Sequence, residues 1–419
     1  MRILIVSQFF TPEPCLKGLE FARALSVRGH QVQVLTGFPN FPIGKLYSGY
    51  QQKFFQREKL DGVSVVRVPL YPSHDNSMVR RAWNYGSFAL SASILGSLLI
   101  DRADVLYAYH PPATIALPAF LLAKVRRIPV VYDIQDLWPD TLRATQVVRN
   151  STILALVGRW CELVYRHSDK VVVLSPGFKE QLIQRGVPSG KIEVIYNWTL
   201  DRVIARKERN DALARELGMA DKFNVLFAGT MGKAQGLETV IQAAERLQHR
   251  SPHVQIVMVG DGVECDNLKR MTQEKKLSNV VFHPWRPVSE IGDVLSLADV
   301  LLVHLRKDPL FRITIPSKIQ TYLSVGKPIL AGVEGDAADL VLRAHAGFTY
   351  DSGAPEALAQ LIEQMAGMPR AALEEMGERG RQFYQNELSL SSGVDRFEKV
   401  FLEVVEKQRS DVRGRKSSG

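Results

Sequence analysis

The chain is predicted to fold as two α/β domains, each a doubly wound parallel sheet. Three observations carry this: its length, an alternation of short β-branched runs with helical patterns, and one polar break between two such alternations. Its 419 residues exceed a single comfortable core and suit two domains of about 200 residues each. With 46% hydrophobic and 23% charged residues, the composition is that of an ordinary globular protein and excludes a disordered chain.

The first alternation opens with a strand at Ile3 to Val6 and a helix through Ala22 to Arg28. The turn Gly29-His30 then leads into a strand at Val32 to Leu35. Further strand signals are Val63 to Val68, Asp104 to Tyr107, Pro129 to Tyr132, Lys170 to Leu174 and Ile192 to Ile195. Strands separated by helices call for right-handed βαβ crossovers and a parallel sheet. The stretch from Asn197 to about Asp221 is polar and lacks a strand signal, which sets a first domain at 1–197 and a connection at 198–222. A second alternation follows, with strands at Val225 to Ala228, Val254 to Val259, Val280 to Phe282, Val300 to Leu305 and Ile329 to Ala331, and a helix at Leu237 to His249. It defines a second domain at 223–386. Residues 387–410 read as a C-terminal helix expected to pack back on the first domain, and 411–419 as a disordered tail. Two such domains are expected to face each other across a cleft, with ligands at the carboxyl ends of the strands.

The formal net charge is +9, which favours a phosphorylated substrate, an anionic membrane or a nucleic acid. No basic stripe interleaved with aromatics supports the last of these. Cys15, Cys161 and Cys265 lack metal-ligand spacing and suit a reducing compartment. MRILIVSQFF reads as a buried first strand, not a signal peptide. No stretch supplies the ~20 apolar residues needed to span a bilayer. The nearest approach, Ser87 to Ile100, follows Arg80, Arg81 and Trp83. It reads either as a buried helix or as a monotopic contact with lipid.

Candidate chemistry gathers at strand ends. The loop Gly229-Thr230-Met231-Gly232-Lys233-Ala234-Gln235-Gly236 leaves one strand and opens a helix. Glycines there let a backbone approach a phosphate, although a tight strand-to-helix turn needs glycine in any case. Gly260-Asp261-Gly262 repeats the pattern at the next strand end. Pro316 and Ser317 are good helix-start residues. Lys318 would then sit in a first turn, where the dipole disfavours a cation unless an anion is near; Arg312 is a second cation in that stretch. Asp133, Asp136 and Asp140 crowd the end of another strand and offer a catalytic carboxylate or, in the plainer reading, an N-cap and two solvated groups. His110, before Pro111-Pro112, ends a further strand.

At these residues the chain resembles the retaining family-4 glycosyltransferases of the GT-B fold. RALSVRGHQVQVLTGFPNFPIGKLYSGY, YDIQDLWPDTL, YNW, FAGTMGKAQGLETVIQAAERL and IPSKIQTYLSVGKPIL occur in the family's order and look like its colanic-acid and O-antigen branch, which includes fucosyl and N-acetyl-L-fucosaminyl transferases. The resemblance implies a nucleotide-sugar donor, commonly UDP-linked, whose diphosphate meets Gly229, Thr230, Met231, Gly232, Lys233, Gly236, Pro316, Ser317 and Lys318. Gly260, Gly262, Trp285 and Arg286 would lie near the base. Ile313 and Thr321 stand where many members carry a pair of glutamates, the second of which binds the ribose; Thr230 and Gln235 stand in place of an arginine and a lysine. Asp136 falls where many members place a histidine on the transferred sugar, with His110 lining the same cleft. The loop from Pro12 to Gly18, with Pro14, Lys17 and Gly18, corresponds to the acceptor loop.

The implied reaction breaks the bond between the anomeric carbon and the diphosphate, with retention. Donors aimed at the leaving phosphate stabilise the transition state more than the ground state. Lys318, Lys233 and the Gly229 to Gly232 amides are candidates for this, with no metal or other cofactor required. The acceptor expected is a polyprenyl-diphosphate-linked saccharide, placing the protein in the cytoplasm, peripheral on the inner face of the membrane. A nucleotide-sugar epimerase of the same fold and a non-enzymatic polyanion binder are the competing readings.

Overall fold

The computed structural model describes residues 1–74, 77–144, 148, 150–199, 204 and 206–417, with side chains as far as 411. The chain divides into two compact units. One comprises Met1–Tyr196 with Gly393–Gly419, the other Asn197–Ser392.

The first unit holds eight strands: β1 (Arg2–Ser7), β2 (Gln31–Gly37), β3 (Gln56–Leu60), β4 (Val63–Val68), β5 (Val105–His110), β6 (Val130–Ile134), β7 (Lys170–Val173) and β8 (Ile192–Val194). Their order is β3-β4-β2-β1-β5-β6-β7-β8, and every pairing is parallel except β3 with β4. β3 was not anticipated. Its sequence QREKL has no apolar alternation, because it is an edge strand with charged side chains that discourage edge-to-edge pairing. The signal for it was the turn: Asp61 (φ 44°) and Gly62 (φ 89°) form the left-handed pair that a tight hairpin needs.

The second unit is a parallel sheet of β9 (Phe223–Ala228), β10 (Val254–Val259), β11 (Val280–His283), β12 (Val300–His304), β13 (Ile329–Gly332) and β14 (Gly347–Thr349), in the order β11-β10-β9-β12-β13-β14. β14 has only three residues, too few for a periodic signal. A Cβ on Gly347 would lie 1.7 Å from the Ile329 carbonyl oxygen, so that short pairing requires glycine. Of the expected connection at 198–222, residues 200–203 and 205 lie outside the described residues. Within it the helix Asp211–Glu216 is capped by the Asn210 side chain, which accepts from the Ala212 and Leu213 amides. The final helix runs Leu390–Ser417, and its Phe397 and Phe401 are buried in the first unit against Phe21 and Tyr107. It takes in most of the segment expected as a tail; residues 418 and 419 lie outside the described residues.

The loop Thr11–Gly18 is organised by two buried charged groups. Glu13 accepts hydrogen bonds from the amides of Phe10 (3.0 Å), Asn40 (2.8 Å) and Phe41 (2.8 Å). Lys17 donates to Asp133 at 2.6 Å, and both side chains are fully buried. Gln135 Nε2 (2.7 Å) and the Tyr107 hydroxyl also donate to Asp133. The pair therefore ties the loop after β1 to the end of β6 across the sheet.

Removing one partner would strand a buried charge, at a cost of about 3–5 kcal/mol. Lys17→Met is expected to lower stability by that order in a denaturant titration, and Lys17→Met with Asp133→Leu to regain most of it. A loss below about 1 kcal/mol for the single variant would show that the pair does not hold the loop.

Candidate functional site

In the second unit a cavity of about 330 Å³ opens at the carboxyl ends of β9 and β10. Gly229, Thr230, Gly260, Trp285, Arg286, Ser317, Lys318 and Thr321 all line it. The tertiary fold thus brings together residues nearly ninety positions apart that the sequence had marked separately.

Two turns packed backbone to backbone form one wall. The Gly229 amide donates to the Val259 carbonyl and the Met231 amide to the Asp261 carbonyl, both at 2.8 Å. A Cβ on Gly260 would stand 2.1 Å from the Gly229 carbonyl oxygen, and one on Gly262 2.4 Å from that of Met231. Both glycines also have positive φ, 139° and 154°. Close packing of the turns is a sufficient reason for these two glycines.

This arrangement corrects part of the expected diphosphate cradle. The Gly229 and Met231 amides are occupied within the protein, and the Gly232 amide donates to Gln235 Oε1 at 3.0 Å. Met231 is fully buried in the core. Gly236 (φ 58°) lies against Arg306, and Gly262 does not line the cavity. Lys233 is exposed on the short turn Lys233–Gln235. Pro316 serves as the residue before the helix Ser317–Val325. Arg312 points elsewhere, 3.7 Å from Glu334.

The helix Ser317–Val325 supplies the opposite wall. Amides at a helix start lack intrahelical partners and attract anions; here the Ile319 amide donates back to the Pro316 carbonyl at 3.0 Å, so the Ser317 and Lys318 amides are the candidates. Lys318 Nζ sits 4.3 Å from the centre of the Phe227 ring. It lies so close over Gly229 that a Cβ there would be 2.8 Å from Lys318 Cε. The ammonium makes no hydrogen bond or ion pair among the described residues, and burial pushes its pKa down to about 8. A cation at the positive end of a helix, half removed from water and without a carboxylate, is a site prepared for an anion.

Neighbouring contacts fix this geometry. The Tyr322 hydroxyl accepts from the Ala228 amide at 3.1 Å, joining the helix to the tip of β9. The Thr321 and Thr199 hydroxyls are 3.0 Å apart, and the Thr199 amide donates to the Tyr384 hydroxyl at 3.1 Å. Ile204, Val288, Ile291 and Leu295 give the cavity an apolar side. Trp285, 62% exposed, stands at its rim beside Arg286, which pairs with Glu290 at 3.4 Å. Tyr322 was not singled out from the sequence, although its place four residues after Lys318, on the same helix face, was a signal for it. Thr199 was not, because nothing local marks a contact 122 residues away.

The first unit holds the remaining candidates. Among the three aspartates after β6, Asp133 is engaged with Lys17 and Asp140 pairs with Arg185. The Asp136 carboxylate makes no hydrogen bond or ion pair among the described residues, and burial raises its pKa. His110, at the end of β5, is buried with Nδ1 unpartnered and its ring 5.3 Å from that of Trp138. Burial pushes it down to about 3, so it stays a neutral imidazole at physiological pH and cannot serve there as a cationic acid. Lys17, expected to meet the acceptor, is engaged inside the unit with Asp133 and is closed to a ligand. Pro14 is exposed. Gly18 is buried at the start of the helix Leu19–Val27, where a Cβ would press on the Cys15 carbonyl at 2.9 Å.

Two family models match. Residues 19–198 match the glycosyl transferase 4-like domain and residues 210–383 the glycosyl transferases group 1. The putative colanic acid biosynthesis glycosyl transferase WcaI of Escherichia coli (strain K12) is 29% identical over 343 residues, covering 78% of this chain and 82% of the relative. Among solved structures, Anabaena Alr3699/HepE in complex with UDP and glucose aligns with a TM-score of 0.68 at 18% identity, over 95% of this chain and 98% of that one. Sucrose-phosphate synthase from Thermosynechococcus elongatus aligns with a TM-score of 0.71 at 16% identity, over 97% and 99%.

Only the protonated form of Lys318 attracts an anion. Affinity for a nucleoside diphosphate should therefore hold below about pH 8 and fall as pH rises through it, by up to about tenfold per unit until binding itself raises the lysine's pKa. Lys318→Arg should flatten the profile, since arginine stays charged. Calorimetric titrations between pH 7 and 9.5 test this, and a flat wild-type profile would take Lys318 out of the anion site.

Proposed function

We propose that this chain, a glycosyltransferase of the GT-B fold with a 4-like first domain and a group 1 second domain, transfers a sugar with retention from a nucleotide-sugar to a polyprenyl-diphosphate-linked saccharide. The setting is the assembly of a bacterial surface polysaccharide at the cytoplasmic face of the membrane. The observation that carries the reading is the unpaired Lys318 ammonium over Gly229, at the helix start that closes the cavity. The UDP held by the HepE structure supports a UDP-linked donor. The similarity to WcaI, a putative colanic acid biosynthesis glycosyl transferase, supports the polysaccharide setting; the sugar proposed is of the fucose or N-acetylfucosamine type.

As the glycosidic bond to the diphosphate breaks, negative charge grows on the leaving phosphate and the sugar becomes oxocarbenium-like. The Lys318 ammonium and the Ser317 and Lys318 amides meet that charge, in the part a bound cation plays in other transferases. The acceptor hydroxyl attacks on the departing side and its proton passes to the leaving phosphate. The chain then needs no strong base, in keeping with a neutral His110. Asp136, with its unengaged carboxylate, stabilises positive charge on the sugar. Trp285 and the apolar side hold the nucleotide base.

A thermal-shift screen of nucleotide-sugars, followed by transfer to a lipid-linked acceptor, tests the reading. Lys318→Ala should slow transfer by about a hundredfold or more with the fold intact, and Asp136→Asn should lower turnover more than donor affinity. Activity of Lys318→Ala within threefold of wild type refutes the role given to Lys318. Release of an epimerised free sugar-nucleotide without acceptor would favour the epimerase reading.

A further inference from the structure

The first unit carries an apolar surface that its own core does not use. The helix Met78–Leu99 buries Phe88, Ala89, Ala92, Leu95 and Gly96, yet Leu90, Ile94 and Leu98 are 60%, 56% and 77% exposed. The neighbouring helix Ala116–Arg126 repeats this. It buries Ala119, Leu122 and Ala123 and exposes Leu117, Leu121 and Val125 by 48%, 41% and 57%. The two helices pack directly on each other: a Cβ on Gly96 would lie 3.3 Å from Leu122, and Arg126 donates to the Ser97 and Ile100 carbonyls. Both lie on the same sheet, so the exposed leucines and their neighbours project from one layer, away from it. Contiguous exposed aliphatic side chains on adjacent helices mark an interaction surface.

At the Leu98 and Val125 end this face meets a cavity of about 410 Å³ lined by Arg2, Arg102, Arg126, Arg127 and Arg409, with Asp104 as its single carboxylate. Asp104 is engaged by Arg2 at 2.7 Å. Arg102, Arg127 and Arg409 make no ion pair among the described residues. Lys124 is exposed on the second helix. No helix among the described residues is long and apolar enough to cross a membrane.

We infer that the paired helices Met78–Leu99 and Ala116–Arg126 are the docking face for an anionic bilayer, with the aliphatic side chains in the interfacial layer and the arginine-lined cavity on lipid phosphates. Apolar insertion supplies attachment that salt cannot remove, and the guanidinium groups supply selectivity for negative lipids. Arginine's planar fork suits phosphate oxygens better than a lysine would. The inference rests on the reading that the acceptor is lipid-linked; it keeps the apolar contact expected of Ser87 to Ile100, extends it to the neighbouring helix, and moves the basic partner from Arg80 and Arg81 to the arginine-lined cavity.

Flotation with vesicles of phosphatidylcholine alone, or of phosphatidylcholine mixed with the anionic lipid phosphatidylglycerol, tests it. The chain should float with the anionic vesicles, weaken with salt without complete release, and remain monomeric in solution. Ile94→Asp with Leu121→Asp should reduce binding at least tenfold at all salt concentrations. Arg102→Glu with Arg127→Glu should reduce it mainly at low salt. Both should keep the wild-type melting temperature and nucleoside-diphosphate affinity, so loss of docking is separable from failure of the transferase reading. Absence of binding to anionic vesicles at low salt overturns the proposal. So does a wild-type dimer that either pair of substitutions dissolves, which would assign the face to a second copy.

Discussion

The candidate site depends on the contact between the Gly229–Met231 and Gly260–Gly262 turns. Side chains at either glycine of the second turn would collide with carbonyl oxygens of the first, so the tips of β9 and β10 can approach only as bare backbone. That approach sets the floor on which Lys318 rests, and Gly229 leaves the space the lysine's last methylene fills. Tyr322 then fastens the helix bearing Lys318 to the same strand tip. The cation is positioned by sterics and by one hydrogen bond, with no counter-charge to hold it.

The contrast with Lys17 shows what distinguishes a structural lysine from one prepared for a ligand. Both are withdrawn from water. Lys17 has Asp133 at 2.6 Å, and Asp133 in turn has Tyr107 and Gln135, so every charge is answered inside the unit. Lys318 has an aromatic face and, among the described residues, no carboxylate partner, and burial lowers its proton affinity accordingly. A diphosphate bound there as proposed would reverse that penalty, and interactions of this kind strengthen further as charge develops on a leaving group. The same logic separates Asp136 from Asp133 and Asp140, which have their partners already.

The first unit divides its surface in a comparable way. Its sheet and helix Leu390–Ser417 bury a continuous aromatic cluster around Tyr107, while the outer side of two helices stays aliphatic in water. Exposed aliphatic side chains beside unpaired arginines contribute nothing evident to folding; they make physical sense with a partner that is both apolar and anionic.

Short apolar runs were sufficient to place twelve of the fourteen strands among the described residues, because strands buried on both faces of a parallel sheet must be such runs. They missed β3, whose charges protect an edge, and β14, which is too short to show a period. The sequence also marked Lys318, since a lysine after Pro-Ser at a helix start is out of place without an anion. It could not say which glycines line the cavity and which serve only to let two turns touch, because Gly229 and Gly262 look alike until their neighbours are present. Nor could it tell Lys17 from Lys318, or pair Thr199 with Thr321. Local spacing determines what a segment can become, whereas burial and the presence or absence of an opposing charge depend on residues distant in the chain, and only the tertiary structure decides those.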